Sequence, residues 1–234
     1  MAQLRFPRSP RPPDVRYLRP PQPLHFPAEE EMPEGLAHLT VRILLWRILQ
    51  SALGPEHTVG SDQFVYWDAS DPKRCLSPDV FVRLHTPQTV FGSWKTWEDG
   101  GPPHLAVEII SPNEGDGVSW DEKLARYHAA GVLELVRFDP EATPGTRLRA
   151  WDRVHNDLVE RRVEADRTPC LALGLSWTVC PVDAGNALEG TVVGLRLLDA
   201  EGHVLPTREE SEVGARKAAE ARVAELEEAL RRRS

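Results

Sequence analysis

Two acidic side chains stand where the sequence gives them little reason to be. Glu108 lies inside Leu105-Ala106-Val107-Glu108-Ile109-Ile110, an almost continuous apolar run, and Asp79 opens Asp79-Val80-Phe81-Val82 directly after Pro78. An ionised carboxylate in such surroundings is costly to desolvate unless it pairs with a cation or coordinates a metal. Each acid alone has a plain structural explanation: Glu108 can face solvent or meet an arginine, and Asp79 can be a turn residue beside proline. Together they allow more. Neighbouring strands lie about 4.8 Å apart, so two carboxylates at matching heights can share one cation. Few, hard oxygen ligands suit magnesium, which keeps several waters and leaves positions for a phosphate. Such a cation polarises a phosphoryl oxygen and acidifies a bound water, the requirements of phosphodiester hydrolysis. Lys123, with Tyr127 one turn later on the same helix face, can orient that water and offset charge developing on the phosphate. A lone lysine is more often solvated surface.

These residues need strands and helices to bring them together. Leu36, Leu39, Ile43, Leu44 and Ile48 recur at three- and four-residue steps and predict a helix that stops at Gly54, with Trp46 widening its apolar stripe. The segment His57–Trp67 has strand composition, Asp79–Val82 predicts a short strand, and Leu105–Ile110 predicts a strand covered on both faces. Ser119-Trp120-Asp121-Glu122 has the spacing of a capping box, so a helix runs from there to Ala130 and ends at Gly131. Val132–Phe138 is a further strand, closed by Asp139-Pro140. Arg147–Val154 and Leu158–Val163 form a hairpin around Asn156-Asp157. A second turn, Ala200-Glu201-Gly202, separates Val192–Leu198 from His203–Leu205. Residues 208–231 predict a charged helix in which Ala219, Val223, Leu226 and Leu230 make a seam too short for a stable isolated coiled coil. The expectation is an α/β fold, a mixed sheet flanked by helices. It divides into an arm (residues 1–24), a domain (25–207) and a C-terminal helix (208–234).

Charge is spread unevenly along the 234 residues. The arm holds five arginines, seven prolines and one acid, and its composition reads as disordered. The C-terminal helix balances seven basic against seven acidic side chains, so a whole-chain charge of −8 leaves −12 on the domain. That sign opposes gripping nucleic acid through phosphate neutralisation alone. No apolar run reaches the length of a membrane span. The arginine-containing N-terminus lacks the apolar stretch of a secretory signal. Cys75, Cys170 and Cys180 have no CxxC spacing, which argues against a zinc or disulfide framework and for a reducing cytoplasm. No Walker loop or dinucleotide fingerprint occurs, and Ser111 has turn context rather than that of a nucleophile.

Pro78-Asp79-Val80-Phe81-Val82, the run from His104 through Glu108 to Ser111-Pro112, Lys123 through Tyr127 to Gly131-Val132, and Phe138-Asp139-Pro140 together resemble the Uma2 family. These are restriction-endonuclease-like proteins of the PD-(D/E)XK nuclease superfamily, and the resemblance extends to the C-terminal helix. It implies a restriction-endonuclease-like mixed central sheet flanked by helices, with added β-hairpins and the C-terminal helix. It also implies a metal-dependent DNA endonuclease. Asp79 and Glu108 would then be metal ligands, with Ile109 lending its backbone carbonyl, and magnesium the ion, for which manganese can substitute. The superfamily lysine stands two positions beyond the acid, where this chain has Ile110; members of this family place it on the following helix, and Lys123 matches, with Tyr127 as companion. Glu34, one turn before His38, is the candidate acid of the first helix, with Glu30 and Glu31 competing.

Several residues and readings rank below these. His38 can reach the site or be a satisfied core histidine. Trp94, Lys95 and Trp97 can stack on nucleic acid or pack their own loop. The missing lysine at 110 and the acidic domain favour a second reading, an inactive nuclease-fold module that recruits a partner. In either case the C-terminal helix can pair two copies as a homodimer. A third reading is a hydrolase of another phosphate ester. If Arg5, Arg8, Arg11, Arg16 and Arg19 touch phosphates, removing residues 1–24 will flatten the salt dependence of DNA binding, by as much as about four units of log–log slope. An unchanged slope, measured by titration at several salt concentrations, excludes the arm as a contact.

Overall fold

The computed structural model describes residues 35–111, 118–182 and 192–233. The predicted arm, and Glu30, Glu31 and Glu34, lie outside them. In chain order the first elements are α1 (Leu36–Leu53), β1 (Thr58–Gly60), β2 (Val65–Tyr66), β3 (Cys75–Leu76), β4 (Val80–Arg83) and β5 (Trp94–Lys95). There follow β6 (Leu105–Ile109), α2 (Trp120–Ala130), β7 (Glu134–Phe138), β8 (Leu148–Val154) and β9 (Asp157–Arg161). The last are β10 (Arg167–Cys170), β11 (Leu175–Val182), β12 (Val192–Leu198) and α3 (Arg208–Arg233). This is a mixed α/β fold whose central sheet has six strands in the order β1-β4-β6-β7-β8-β9. Strands β6 and β7 run parallel, joined by the α2 crossover, and the other neighbours are antiparallel.

Alternation along β6 explains its composition. Leu105, Val107 and Ile109 enter one core with Val41, Leu45, Ile48 and Leu49 of α1 and with Trp177, Leu195 and Leu197 of a second, three-stranded sheet, β10-β11-β12. Ala106 enters another core on the opposite face, with Tyr127 and Ala130 of α2, Leu135 and Trp151. A strand covered on both faces must be apolar at nearly every position, and Glu108 is the exception. The two sheets are tied by a second buried acid. Glu134 accepts from Arg161 Nη2 at 2.6 Å, from the Ala172 amide at 2.7 Å and from Trp177 Nε1 at 3.3 Å. A third small sheet, β3-β2-β5, supports the α2 side, where Val65, Phe81 and Trp94 pack together.

The elements match the sequence reading at α1, which ends at Gly54 (φ 72°), and at α2, where Ser119 Oγ accepts from the Glu122 amide and Gly131 takes the left-handed position (φ 82°). The Glu122 carboxylate meets Arg126 Nη2 one turn on, so the capping box is half used. The predicted strand His57–Trp67 is two strands, because the chain turns at Asp62 with φ 63°. The hairpin turn falls one residue earlier than expected: His155 adopts φ 57° and Val154 pairs with Asp157. Strands β10 and β11 were not anticipated, since Pro169 and Pro181 argue against ladder positions. Pro169 lies on an edge strand and Pro181 near the end of β11. Helix α3 opens on a complete T-x-x-E box. Thr207 Oγ1 accepts from the Glu210 amide at 3.1 Å, and the Glu210 carboxylate accepts from the Thr207 amide at 2.7 Å. Arg196 grips the same carboxylate with two bonds, of 2.9 and 2.8 Å, docking the first turn of the helix. Among the described residues no helix is long and apolar enough to cross a membrane.

Gly60 stands opposite Phe81 in the β1–β4 ladder, and a Cβ there would come within 2.1 Å of the buried Phe81 ring. Gly60→Ala is expected to destabilise the fold by about 2 kcal/mol or more through overpacking, read as a lower urea midpoint.

Candidate functional site

The register of β4 against β6 pairs Val80 with Val107 and Phe81 with Ala106. Continued by one residue, it brings Asp79 opposite Glu108, at the carboxyl end of the parallel pair. The chain bends at Asp79 rather than extending the ladder, and this frees its carboxylate to turn toward α1. Asp79 Oδ2 accepts the Ile109 amide at 2.7 Å, and Oδ1 lies 3.1 Å from His38 Nε2 and 4.0 Å from Arg42 Nε. His38 Nε2 also lies 3.0 Å from the Ile109 carbonyl oxygen. Ser61 completes this side: its hydroxyl donates to the Asp79 carbonyl at 2.9 Å and accepts from Arg42 Nη1 at 3.1 Å.

Glu108 points to the other face, into the base of α2. Lys123 Nζ donates to Oε2 at 2.8 Å, and the Tyr127 hydroxyl donates to Oε1. Residues 123 and 127 are one helical turn apart, so both reach down onto the same carboxylate. Glu108 is only 4% exposed. Burial pushes its pKa up to about 7; the Lys123 ammonium and the Tyr127 hydroxyl work against that rise, and the nearby Asp79 charge adds to it. Desolvation therefore outweighs a well-formed ion pair, as expected where a carboxylate is removed from water.

Asp79, Glu108, Ile109, Lys123 and Tyr127 thus gather at one end of the sheet, whereas Glu34 lies outside the described residues. His38, ranked lower from sequence, reaches the site. Arg42 and Ser61 were not anticipated. The only trace of Arg42 in the sequence is its i,i+4 spacing from His38, which is common on any helix. Trp94 is buried against Phe81 with its Nε1 donating to the Gly101 carbonyl at 2.9 Å, so it packs its own loop, and Lys95 pairs with Glu98 at 2.9 Å. Ser111 is buried beyond the end of β6. Among the described residues no three His, Cys, Asp or Glu side chains converge as a metal cage. The available donors are two carboxylates and a carbonyl, all hard oxygens.

Comparison with known proteins adds two findings. Residues 28–181, well over half of the chain, match the family model Uma2, described as "Putative restriction endonuclease". Among solved structures, a chain from Anabaena variabilis described as a "putative nuclease belonging to DUF820" is similar at 16% identity and a TM-score of 0.35, over 52% of this chain and 70% of that one. No curated protein matches the chain.

The raised pKa of Glu108 has a thermodynamic sign. Below the ordinary carboxylate range both folded and unfolded chains hold the proton. Between that range and about 7 the unfolded chain is ionised while the folded one keeps its proton, so stability falls as pH rises; above it the dependence levels off. In metal-free protein the decline attributable to Glu108 is expected to reach about 3 kcal/mol. It should vanish in Glu108→Gln, which urea titrations of both proteins across this range will show.

Proposed function

The chain belongs to the Uma2 family, and on that premise we propose that it is a metal-dependent DNA endonuclease that hydrolyses phosphodiester bonds. Asp79, Glu108 and the backbone carbonyl of Ile109 would hold a magnesium ion, which manganese can replace. The observation that carries the reading is the 2.8 Å contact between Lys123 Nζ and Glu108 Oε2. It supplies from α2 the ammonium that the superfamily usually places two residues beyond the acid, where this chain has Ile110. The donor set suits the ion. Its atoms are hard oxygens, and Asp79 and Glu108 are close enough for the charge of one to disfavour ionisation of the other, a penalty that a dication removes.

When bound, magnesium polarises a phosphoryl oxygen and lowers the pKa of a coordinated water. The protein's own groups do the rest. The Ile109 amide and His38 hold the Asp79 carboxylate in place, and Tyr127 does the same for Glu108. Lys123, with its side chain about a quarter exposed, is placed to donate to a water or phosphate oxygen and to offset charge that develops there. Glu34, just before α1, is the proposed additional acid. DNA is the proposed substrate, and the acidic domain makes its binding depend on the cation.

Ile110 favours a second reading, an inactive module of the same fold that works through a partner or a second copy, with α3 as the contact. Calorimetric titration with calcium or magnesium separates the two when combined with plasmid nicking. The expected result is metal binding that Asp79→Ala and Glu108→Ala abolish, nicking that requires magnesium, and a rate reduced a hundredfold or more in Lys123→Met. Metal binding without nicking on any DNA form favours the module. No metal binding by the wild-type protein overturns the proposed site.

A further inference from the structure

The ladder continues from the carboxylates into an arginine. Glu108 stands opposite Arg137 in β7, and Arg137 opposite Arg149 in β8. Neighbouring strands are about 4.8 Å apart, and opposed residues share a face. Leu135, two residues before Arg137, packs into the core beneath α2, so Arg137 faces the α2 side, as Glu108 does. There its guanidinium Cζ lies 5.4 Å from the ring centroid of Trp120, the first residue of α2. Trp120 is itself braced against Trp151, with ring centroids 5.3 Å apart.

We propose that Arg137 is a substrate-positioning residue that binds a backbone phosphate of the DNA adjoining the scissile one. The inference rests on the endonuclease reading and adds to it the group that holds the strand in register with the carboxylates. A guanidinium presents a planar fork that matches phosphate oxygens, and stacking on an indole fixes that plane before substrate arrives. The competing anion is weak: one Asp139 oxygen at 3.3 Å from Arg137 Nη2, in a pair with both side chains about a fifth exposed. The neighbouring arginines are already committed. Arg149 makes two parallel bonds to Glu160, each 2.8 Å. Arg161 is shared among Glu134, Asp152 and the Pro169 carbonyl. Among the described residues, Arg137 is therefore a guanidinium on the face of Glu108 whose carboxylate contact is a single long one, in a domain whose −12 charge otherwise repels a phosphate.

The test is fluorescence anisotropy of a labelled short DNA duplex with the full-length protein in calcium, over a series of salt concentrations, beside plasmid nicking in magnesium. Arg137→Gln is expected to lower the log–log salt slope by about one, Arg137→Lys to retain it, and Arg149→Gln to leave it unchanged. A second variant covers the chance that Arg137→Gln fails to fold. In Asp139→Asn the Oδ1 contacts to the Glu141 and Ala142 amides can persist while the charge opposite Arg137 is lost, so DNA should bind several-fold more tightly. If the wild-type protein nicks plasmid but Arg137→Gln keeps its full slope, or Asp139→Asn binds no more tightly, the role of Arg137 is overturned and the endonuclease reading stands. If the wild-type protein neither binds nor nicks DNA, both fall.

Discussion

Taking the Glu108 carboxylate out of water carries a desolvation cost that the rest of the sheet end is arranged around. Its strand neighbours alternate between two apolar cores, so the strand cannot rotate the acid toward solvent without exposing several large side chains. The answer comes from α2, whose Lys123 and Tyr127 descend one turn apart onto the two carboxylate oxygens. That answer is incomplete. The acid still holds its proton more tightly than an ordinary glutamate, because desolvation and the neighbouring Asp79 together exceed what one partly exposed ammonium and a phenol return. That residual cost at Glu108, with a second carboxylate nearby, is what the proposed cation would relieve.

A second buried acid meets a different set of donors. Glu134, at the start of β7, receives a guanidinium, a backbone amide and an indole N–H, and it joins the central sheet to β10-β11-β12. The two glutamates lie on neighbouring strands but serve opposite faces and opposite ends of the sheet. Glu134 is enclosed by fixed donors and holds architecture together. Glu108 has a partly exposed ammonium, a phenol hydroxyl and a second carboxylate nearby. The difference between the two lies in the donors around them, since both are almost wholly removed from solvent.

Local signals in the sequence were read correctly where local physics decides the outcome. Helix α1 ends at Gly54, α2 begins at Ser119 and ends at Gly131, and the both-sided apolarity of β6 follows from its position between two layers. Glu108 stands out in the sequence because it interrupts an apolar run, and Asp79 because it opens one. The grip of α1 on Asp79 has no such mark. His38 and Arg42 differ from any polar pair on a helix only through the bend at Asp79 that turns the carboxylate toward them, and a bend one residue before a strand leaves no compositional mark. Of the second sheet, β12 is legible as Val192–Leu198, whereas β10 and β11 carry Pro169 and Pro181, whose places at an edge and near a strand end become apparent only once neighbours are known. The box at Thr207 is legible in the sequence as T-x-x-E.

An ammonium carried on α2, rather than two residues along the strand from its acid, has a consequence for when the site exists. In the strand-borne arrangement the two groups meet as soon as the strand forms. Here they meet only after the helix has seated on the sheet, with Tyr127 and Ala130 packed beneath it. A nascent chain, or one loosened by damage, keeps its acids and its lysine but holds them apart. The pairing of Lys123 with Glu108 is thus a mark of tertiary integrity, present only once helix and sheet are joined.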